Sequence, residues 1–247
     1  MRRLKLTLAY DGTGYHGWQV QPGLNTIQGT LEKILGEIEG APVHVAGSGR
    51  TDAGVHALAQ VAAVDLENPI PVDNLRRAAN RLLPPDIRVL RVEQAAPDFN
   101  PRYDAKAKTY EYRIFRGEIC PPFERRYVKH HPYPMRVDAM LDAAALFEGE
   151  HDFTAFAASD ERDELGASKV RRVFCSKLTS EGERLIYRVT GSGFLKHMVR
   201  NIVGVLLETG KGNIDRAGVL ARFEPGCGIP AGPTAPARGL FLISVEY

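Results

Sequence analysis

The order of its hydrophobic patterns is the feature that most constrains the fold of this chain. Apolar side chains occur at every second position from Leu4 to Tyr10, which is typical of a strand, and at helical spacing from Ile27 to Ile38. The first half predicts the order β-α-β-β-α-β, at residues 4–10, 26–39, 43–46, 57–66, 72–82 and 87–92. Asn25 and Gln28 have the spacing of a capping box at the start of the first helix.

The second half predicts a similar order of elements without visible sequence identity to the first. Its strands are predicted at residues 109–115, 170–178, 185–190 and 240–247, and its helices at 137–147, 194–209 and 214–221. Each half resembles a split β-α-β-β-α-β unit, so we expect an α+β protein of two ferredoxin-like, or RRM-like, halves that share a cleft. Pro97 and Pro101 mark the boundary between an N-terminal subdomain at 1–101 and a C-terminal one at 102–247.

The composition is typical of a globular protein and argues against several other classes. No apolar run approaches the roughly 20 residues of a membrane helix, and the basic N terminus leads into strand-like sequence rather than a signal segment. The three cysteines have no C-x-x-C spacing, and the seven histidines form no H-x-x-x-H pair. We therefore expect a cytoplasmic protein with no membrane segment, metal site or disulfide.

Charge alternates in blocks along the second half. Residues 102–136 carry nine Lys/Arg against four Asp/Glu, residues 137–168 one against nine, and residues 169–200 eight against two. Such blocks indicate either a face that attracts a polyanion or an ordinary solvated surface. Aromatic residues among the basic ones, as in Lys-Thr-Tyr-Glu-Tyr-Arg at 108–113, favour RNA, whose bases stack on aromatic rings.

A glycine-rich segment at residues 46–56, Ala-Gly-Ser-Gly-Arg-Thr-Asp-Ala-Gly-Val-His, predicts a tight loop between two strands. Its only formal charges are those of Arg50 and Asp52. A carboxylate beside a guanidinium stays ionised, which is the state that a nucleophilic carboxylate needs. The alternative is a structural turn with a weak surface ion pair, and the local chemistry leaves both open.

The segment at residues 12–17, Gly-Thr-Gly-Tyr-His-Gly, matches the G-x-G-x-x-G pattern of dinucleotide-binding folds. In such folds a helix begins directly after the glycines and receives the pyrophosphate at its N terminus. Here Trp-Gln-Val-Gln-Pro-Gly follows instead. We therefore interpret the segment as a loop and expect no dinucleotide.

Two further groups of polar residues lie on predicted regular elements. Opposite the apolar face of the helix at 194–209 are Lys196, His197, Arg200, Asn201 and Gly204. This face is either solvated or borders the cleft, where Arg200 would pair with a carboxylate or a phosphate. On the strand at 109–115, Tyr110 shares a face with Tyr112 and is either a core residue or a hydroxyl able to relay a proton.

Taken together, these motifs resemble the bacterial tRNA pseudouridine synthase A family. The matching segments follow the family's order, span nearly the whole chain, and lie at residues 25–32, 49–57, 108–110, 194–204 and 239–242. Ser48 departs from the approach expected before Gly-Arg-Thr-Asp, but it lies outside the catalytic positions. The resemblance implies the pseudouridine synthase fold, in which the two halves form one continuous, mainly antiparallel sheet with a central cleft.

The same resemblance implies isomerisation of uridine to pseudouridine at positions 38–40 of the tRNA anticodon stem-loop, without cofactor or metal. It implies that Asp52 is the nucleophile, with attack on C1′, attack on the ring and a glycal route all open. Among the other residues, Tyr110 would stack on the base and remove a proton, and Arg200 would pair with Asp52. Arg50 would fill the space of the flipped nucleotide, and Leu240 would form an apolar wall under the uracil. The family further implies a homodimer in which one tRNA contacts both subunits.

The alternative from a different class is a non-catalytic RNA-binding protein of two RRM-like units. Such a protein needs exposed RNP-type aromatic residues on its sheets, and the sequence has no clear run of them. Tritium release from C5-labelled uridine in a tRNA transcript separates the two hypotheses, because only the enzyme releases tritium.

Overall fold

The computed structural model describes residues 1–160 and 166–247 and divides the chain into two compact units. The first unit comprises residues 1–106 and 241–247, and the second comprises residues 107–240. The second unit thus begins a few residues after the expected division at 101/102, and the end of the chain belongs to the first unit. It does so because Phe241 and Leu242 pair in parallel with His56 and Ala57.

The sheet of the first unit contains four strands from the N-terminal part of the chain and its last strand. These are β1 (Arg2–Tyr10), β2 (Val45–Gly47), β3 (His56–Leu66), β4 (Ile87–Gln94) and β10 (Leu240–Glu246). β1 is antiparallel to both β3 and β4, while β2 and β10 share the other edge of β3. Alternate side chains of β1 are buried, as the period-two pattern predicts.

Two helices cover the apolar residues of the first unit, α1 (Ile27–Glu39) and α2 (Val72–Leu82). The predicted capping box of α1 is wrong. Thr26 is the N-cap, and its hydroxyl accepts a hydrogen bond from the backbone N–H of Gly29. Gln28 is buried, and its amide bonds the backbone of Val20 and Val45 instead.

The strands of the second unit are β5 (Ala107–Phe115), β6 (Lys129–His130), β7 (Gly149–Asp152), β8 (Val170–Glu181) and β9 (Arg184–Gly191). They pair antiparallel in the order β5-β9-β8-β7, and the short β6 is parallel to the end of β5. Neither β6 nor β7 was predicted. β6 has only two residues, and β7 is the polar run Gly-Glu-His-Asp, so neither shows an alternation of apolar and polar residues. The α+β class with mainly antiparallel pairing is confirmed, and the ferredoxin-like character of the halves stays a prediction.

The helices of the second unit are α3 (Val137–Ala145), α4 (Met198–Lys211) and α5 (Arg216–Ala221). α4 begins four residues later than predicted, because the residue before it, His197, has a left-handed backbone with φ of 61°. Among the described residues, no helix is both long and apolar enough to cross a membrane.

Of the two alternatives for the polar face of α4, the solvated one does not hold at Asn201 and Gly204. Asn201 is buried, donates to the backbone oxygen of Phe156 at 2.7 Å and accepts from the hydroxyl of Thr234 at 2.7 Å. A Cβ on Gly204 would lie 2.0 Å from the backbone oxygen of Pro233. This face therefore packs against the loop at residues 233–235, and hydrophobicity alone did not reveal it.

Candidate active site

The loop that carries Asp52 connects β2 to β3, and backbone hydrogen bonds hold both of its ends. Ser48 donates its N–H to the oxygen of Val61 at 2.8 Å. At the other end, the N–H of Val55 donates to the oxygen of Asp52 at 3.1 Å and closes a turn. Gly54 has a φ of 77° in this turn, a conformation that favours glycine. The predicted tight loop is thus confirmed.

Beneath the loop lies a buried polar network of Tyr10, Ser48, Thr51 and Gln60. The hydroxyl of Ser48 donates to the Gln60 side-chain oxygen at 2.6 Å, and the Gln60 amide donates to the oxygen of Gly49 at 3.0 Å. The hydroxyls of Tyr10 and Thr51 are 2.8 Å apart. Burial raises the pKa of Tyr10 to about 12, so its hydroxyl stays protonated at neutral pH. The network fixes the backbone directly before Asp52.

The segment at residues 12–18 packs its backbone against the same loop. A Cβ on Gly12 would lie 2.0 Å from the oxygen of Val55, and one on Gly17 would lie 2.5 Å from the oxygen of Thr51. The backbone N–H of Trp18 donates to that Thr51 backbone oxygen at 3.0 Å. These glycines therefore permit close approach of two backbones. The segment contains only a 3₁₀ turn at Gly12–Gly14, and the α-helix that follows begins at Ile27. The interpretation as a loop with no helix directly after the glycines is therefore confirmed.

Sequence reasoning missed a contact between the buried His56, which directly follows the loop, and the half-buried Asp11. His56 is only 1 % exposed, and its Nδ1 lies 3.1 Å from an Asp11 carboxylate oxygen. Its ring stacks on Phe241 with 4.7 Å between the ring centroids. The only sequence signal was the histidine that closes the Gly-Arg-Thr-Asp-Ala-Gly-Val-His motif, which spacing alone does not connect to Asp11.

Arg50 and Asp52 lie on this loop in the first unit and differ in exposure. Asp52 is half-buried, whereas Arg50 is exposed and its Nε donates to the side-chain oxygen of Gln19 at 3.2 Å. The loop therefore presents a partly shielded carboxylate and an accessible cation within two residues. A shielded carboxylate on a rigid backbone is a suitable nucleophile, because its position is set before substrate binds.

Tyr110, Arg200 and Leu240 belong to the second unit. Tyr110 lies on β5 and is 9 % exposed. Its ring packs edge-to-face against Phe194, with 5.2 Å between the ring centroids and an interplanar angle of 85°. Two residues along the same face, the hydroxyl of Tyr112 donates to the oxygen of Pro236 at 2.8 Å. Burial raises the pKa of Tyr112, which keeps that donor protonated.

Arg200 lies in the first turn of α4 and is half-buried. Its Nε donates to the oxygen of Ala235 at 2.8 Å, and the N–H of Ala235 donates to the oxygen of Arg200 at 3.1 Å. Leu240 is buried at the start of β10, directly after Gly239, where a Cβ would lie 2.7 Å from the ring of Tyr112. The reciprocal bonds with Ala235 therefore hold both the backbone and the guanidinium of Arg200.

No metal-binding cluster accompanies these residues. Within residues 1–160 and 166–247, no three His, Cys, Asp or Glu side chains are grouped so that they could hold a metal ion.

Comparison with known proteins gives a consistent result over the whole chain. A family model described as tRNA pseudouridine synthase matches residues 7–104 and 143–247. A tRNA pseudouridine synthase A of Solibacter usitatus is 65% identical over 248 residues, with 100% of both chains covered. Proteins of the same name from Caldicellulosiruptor bescii and Limosilactobacillus fermentum are 41% and 43% identical, and the matches cover all of this chain and 100% and 96% of theirs.

Proposed function

This chain belongs to the tRNA pseudouridine synthase family, and we propose that it acts at positions 38–40 of the tRNA anticodon stem-loop with Asp52 as its nucleophile. Membership of the family makes it an isomerase that converts uridine to pseudouridine in tRNA. The reaction breaks the bond between uracil N1 and ribose C1′ and rejoins the ring through C5. The hydrogen on C5 leaves as a proton and N1 takes up a proton, so the product is an isomer of the substrate.

The observation that carries the proposal is the way the Asp52 loop is held. Thr51 is bonded on both its backbone and its hydroxyl, through Trp18 and Tyr10, so the carboxylate of the next residue has a restricted range of positions. A glycosidase needs two carboxylates across the glycosidic bond, and this loop offers one. One preorganised carboxylate is what an isomerisation without a hydrolytic water requires.

Base flipping gives the target uridine access to Asp52, and Arg50 is the residue we propose for the space that the nucleotide leaves. Extrusion of a nucleotide costs a few kcal/mol, which contacts from the protein must offset. Arg50 is exposed and bonds only the side chain of Gln19 among described residues, so it can leave that partner at small cost.

For the second unit we propose roles for Tyr110, Arg200 and Leu240. Tyr110 stacks on the uracil and removes a proton during the rearrangement, Arg200 pairs with Asp52, and Leu240 forms an apolar wall. The support is chemical: a tyrosine ring and hydroxyl suit stacking and proton transfer, and a guanidinium matches a carboxylate.

Asp52→Asn tests the nucleophile, with Asp98→Asn as a matched control on an exposed residue of the same unit. We expect Asp52→Asn to fold and bind tRNA but to release no tritium from C5-labelled uridine in a tRNA transcript. Asp98→Asn should match the unchanged protein. Substantial turnover by Asp52→Asn would falsify the assignment of Asp52.

A panel of transcripts with uridine replaced at single positions of the anticodon arm tests the site of action. Tritium release should disappear only when uridines at positions 38–40 are replaced. Release that persists without those uridines contradicts the proposed target. If the unchanged protein binds tRNA tightly and releases no tritium, the RNA-binding alternative holds instead.

The family resemblance is also the basis on which we propose a cytoplasmic homodimer in which one tRNA contacts both subunits. Sedimentation equilibrium of the full chain should give twice the monomer mass. Titration with tRNA should saturate at a stoichiometry that requires each tRNA to contact both subunits of a dimer. A species of monomer mass at micromolar concentration contradicts the proposal.

A further inference from the structure

A short strand in the second unit brings a histidine beside an arginine. β6 runs parallel to the end of β5, with Lys129 opposite Ile114 and His130 opposite Phe115. The N–H of His131 then donates to the oxygen of Phe115 at 2.8 Å. Because Arg116 follows Phe115 directly, the side chains of Arg116 and His131 leave the sheet at the same end of β5.

Several cations converge at this point. The pKa of His131 is lowered, chiefly by burial and then by Lys129, Lys211, Arg116 and His130. The pKa of Lys129 is lowered by burial and by the neighbouring Arg238 and Lys211. Like charges lower the pKa of a cation only when they are close. Together, these groups form a basic cluster that consists of Arg116, Lys129, His131, Lys211 and Arg238.

Glu208 is a carboxylate that faces this cluster. It accepts hydrogen bonds from the ammonium of Lys211 at 2.7 Å and from the amide of Asn213 at 2.6 Å. These two bonds lower the pKa of Glu208 and keep it ionised. Glu208 therefore neutralises Lys211, whereas burial and other cations lower the pKa values of Lys129 and His131.

Two buried nitrogen atoms of the cluster have no hydrogen-bond partner. Within the part of the chain that the structure describes, three buried side-chain atoms are unpaired: Arg2 Nε, Arg116 Nε and His131 Nε2. Two of the three therefore lie in the basic cluster, and His131 is only 8 % exposed. Buried polar atoms normally find a hydrogen-bond partner, because an unmade hydrogen bond costs more than a made one gains.

We propose that the basic cluster is a binding site for a phosphate group, supplied either by the RNA backbone or by free phosphate. A phosphate offers several strong acceptor oxygens to Arg116 and His131 and neutralises the charge of Lys129 and Lys211. The RNA source rests on the proposed function, whereas the phosphate site itself does not.

The basic block at residues 102–136 is therefore not uniform. Arg113 is paired with Glu111 at 2.8 Å, and Glu111 is also bonded by Arg188 at 2.6 Å. That carboxylate is nearly buried and already neutralised by two guanidinium groups. Arg116 and Lys129, in contrast, face other cations. The convergence of cations, together with the two unpartnered nitrogens of Arg116 and His131, distinguishes the cluster from the remainder of the block.

A titration of the unchanged protein with inorganic phosphate tests the site directly. Nitrogen-edited NMR should follow the His131 ring as pH is lowered, in phosphate and in chloride of equal ionic strength. Bound phosphate stabilises the imidazolium, so the pKa of His131 should rise in phosphate. His44, which is exposed and paired with Glu32, should show the same pKa in both salts. Neither of these two titrations depends on catalytic turnover.

Binding of tRNA by the variant Lys129→Gln identifies the source of the phosphate group. The charge-matched control is Lys33→Gln, which replaces an exposed lysine of α1. If RNA supplies the phosphate, Lys129→Gln should lower the slope of log affinity against log salt by about 1 and weaken binding on the order of fivefold. Lys33→Gln should change neither.

These measurements separate all outcomes. A His131 response to phosphate with an unchanged RNA slope assigns the site to free phosphate, and a changed slope assigns it to RNA. No response of His131 to phosphate, together with equal binding by the two lysine variants, overturns the proposal. If the proposal that Asp52 is the nucleophile fails, each of these results still stands, because the experiments measure binding alone.

Discussion

In the first unit, the loop that carries Asp52 rests on buried side chains that hydrogen-bond one another, whereas the basic cluster of the second unit contains two buried nitrogens without a partner among described residues. The first arrangement reduces the freedom of one carboxylate before substrate arrives. The second retains a local excess of positive charge that a ligand can relieve. Under the two proposals above, one region is prepared to react and the other to bind.

The largest expected effect comes from Gly12→Ala, because its methyl group would meet the oxygen of Val55 at 2.0 Å. We expect a loss of at least ~3 kcal/mol in the free energy of unfolding and a loss of activity, since the Asp52 loop must shift. Urea unfolding measures the first and tritium release the second.

Gly14→Ala is the matched control from the same Gly-x-Gly motif, because nothing lies within 4 Å of a Cβ there. It should leave both stability and activity close to those of the unchanged protein. Equal effects of the two substitutions would mean that the segment at residues 12–18 does not hold the loop.

The next effect is that of Tyr10→Phe, which removes the hydroxyl bonded to Thr51. We expect a loss of about 1–3 kcal/mol in the free energy of unfolding, because buried partners are left unpaired. The misplaced carboxylate should also lower kcat roughly tenfold or more, with KM for tRNA little changed.

Tyr187→Phe serves as its control, since the Tyr187 hydroxyl is also buried and lies 2.8 Å from the hydroxyl of Ser176 in the second unit. A similar loss of stability without a change in kcat is expected there. If kcat falls equally in both variants, the Tyr10 network stabilises the fold without positioning Asp52.

The smallest effect concerns the pH dependence of stability at the basic cluster. The pKa of His131 is lowered in the folded state, so the unfolded chain binds its proton at a higher pH. Stability should therefore decrease as pH falls below the unfolded value of about 6.5.

Lys129→Gln should reduce that decrease by less than about 1 kcal/mol, because it removes one cation beside His131. Urea midpoints at neutral and mildly acidic pH provide the measurement, and Lys33→Gln controls for net charge. A steeper decrease in Lys129→Gln would show that Lys129 does not oppose protonation of His131.

Regular elements with strong local signals were predictable. α2 was predicted at residues 72–82 and occupies Val72–Leu82, because prolines border it on both sides. The start of α4 was not predictable, because the left-handed backbone conformation of His197 carries no sequence signal. Of the candidate site, the tight loop with Asp52 could be read from its glycines, whereas the buried state of Asn201 could not.

The sequence by itself determined the alternation of strands and helices, the motif around Asp52 and the blocks of charge, because each depends on residues close together in the chain. Only the tertiary structure decided which groups meet. Tyr10 reaches Thr51 across 41 positions, and Arg116, Lys129 and Lys211 surround His131 from separate elements. Hydrogen bonds and electrostatic fields act over distance in space, so the partners of a side chain follow from packing rather than from sequence spacing.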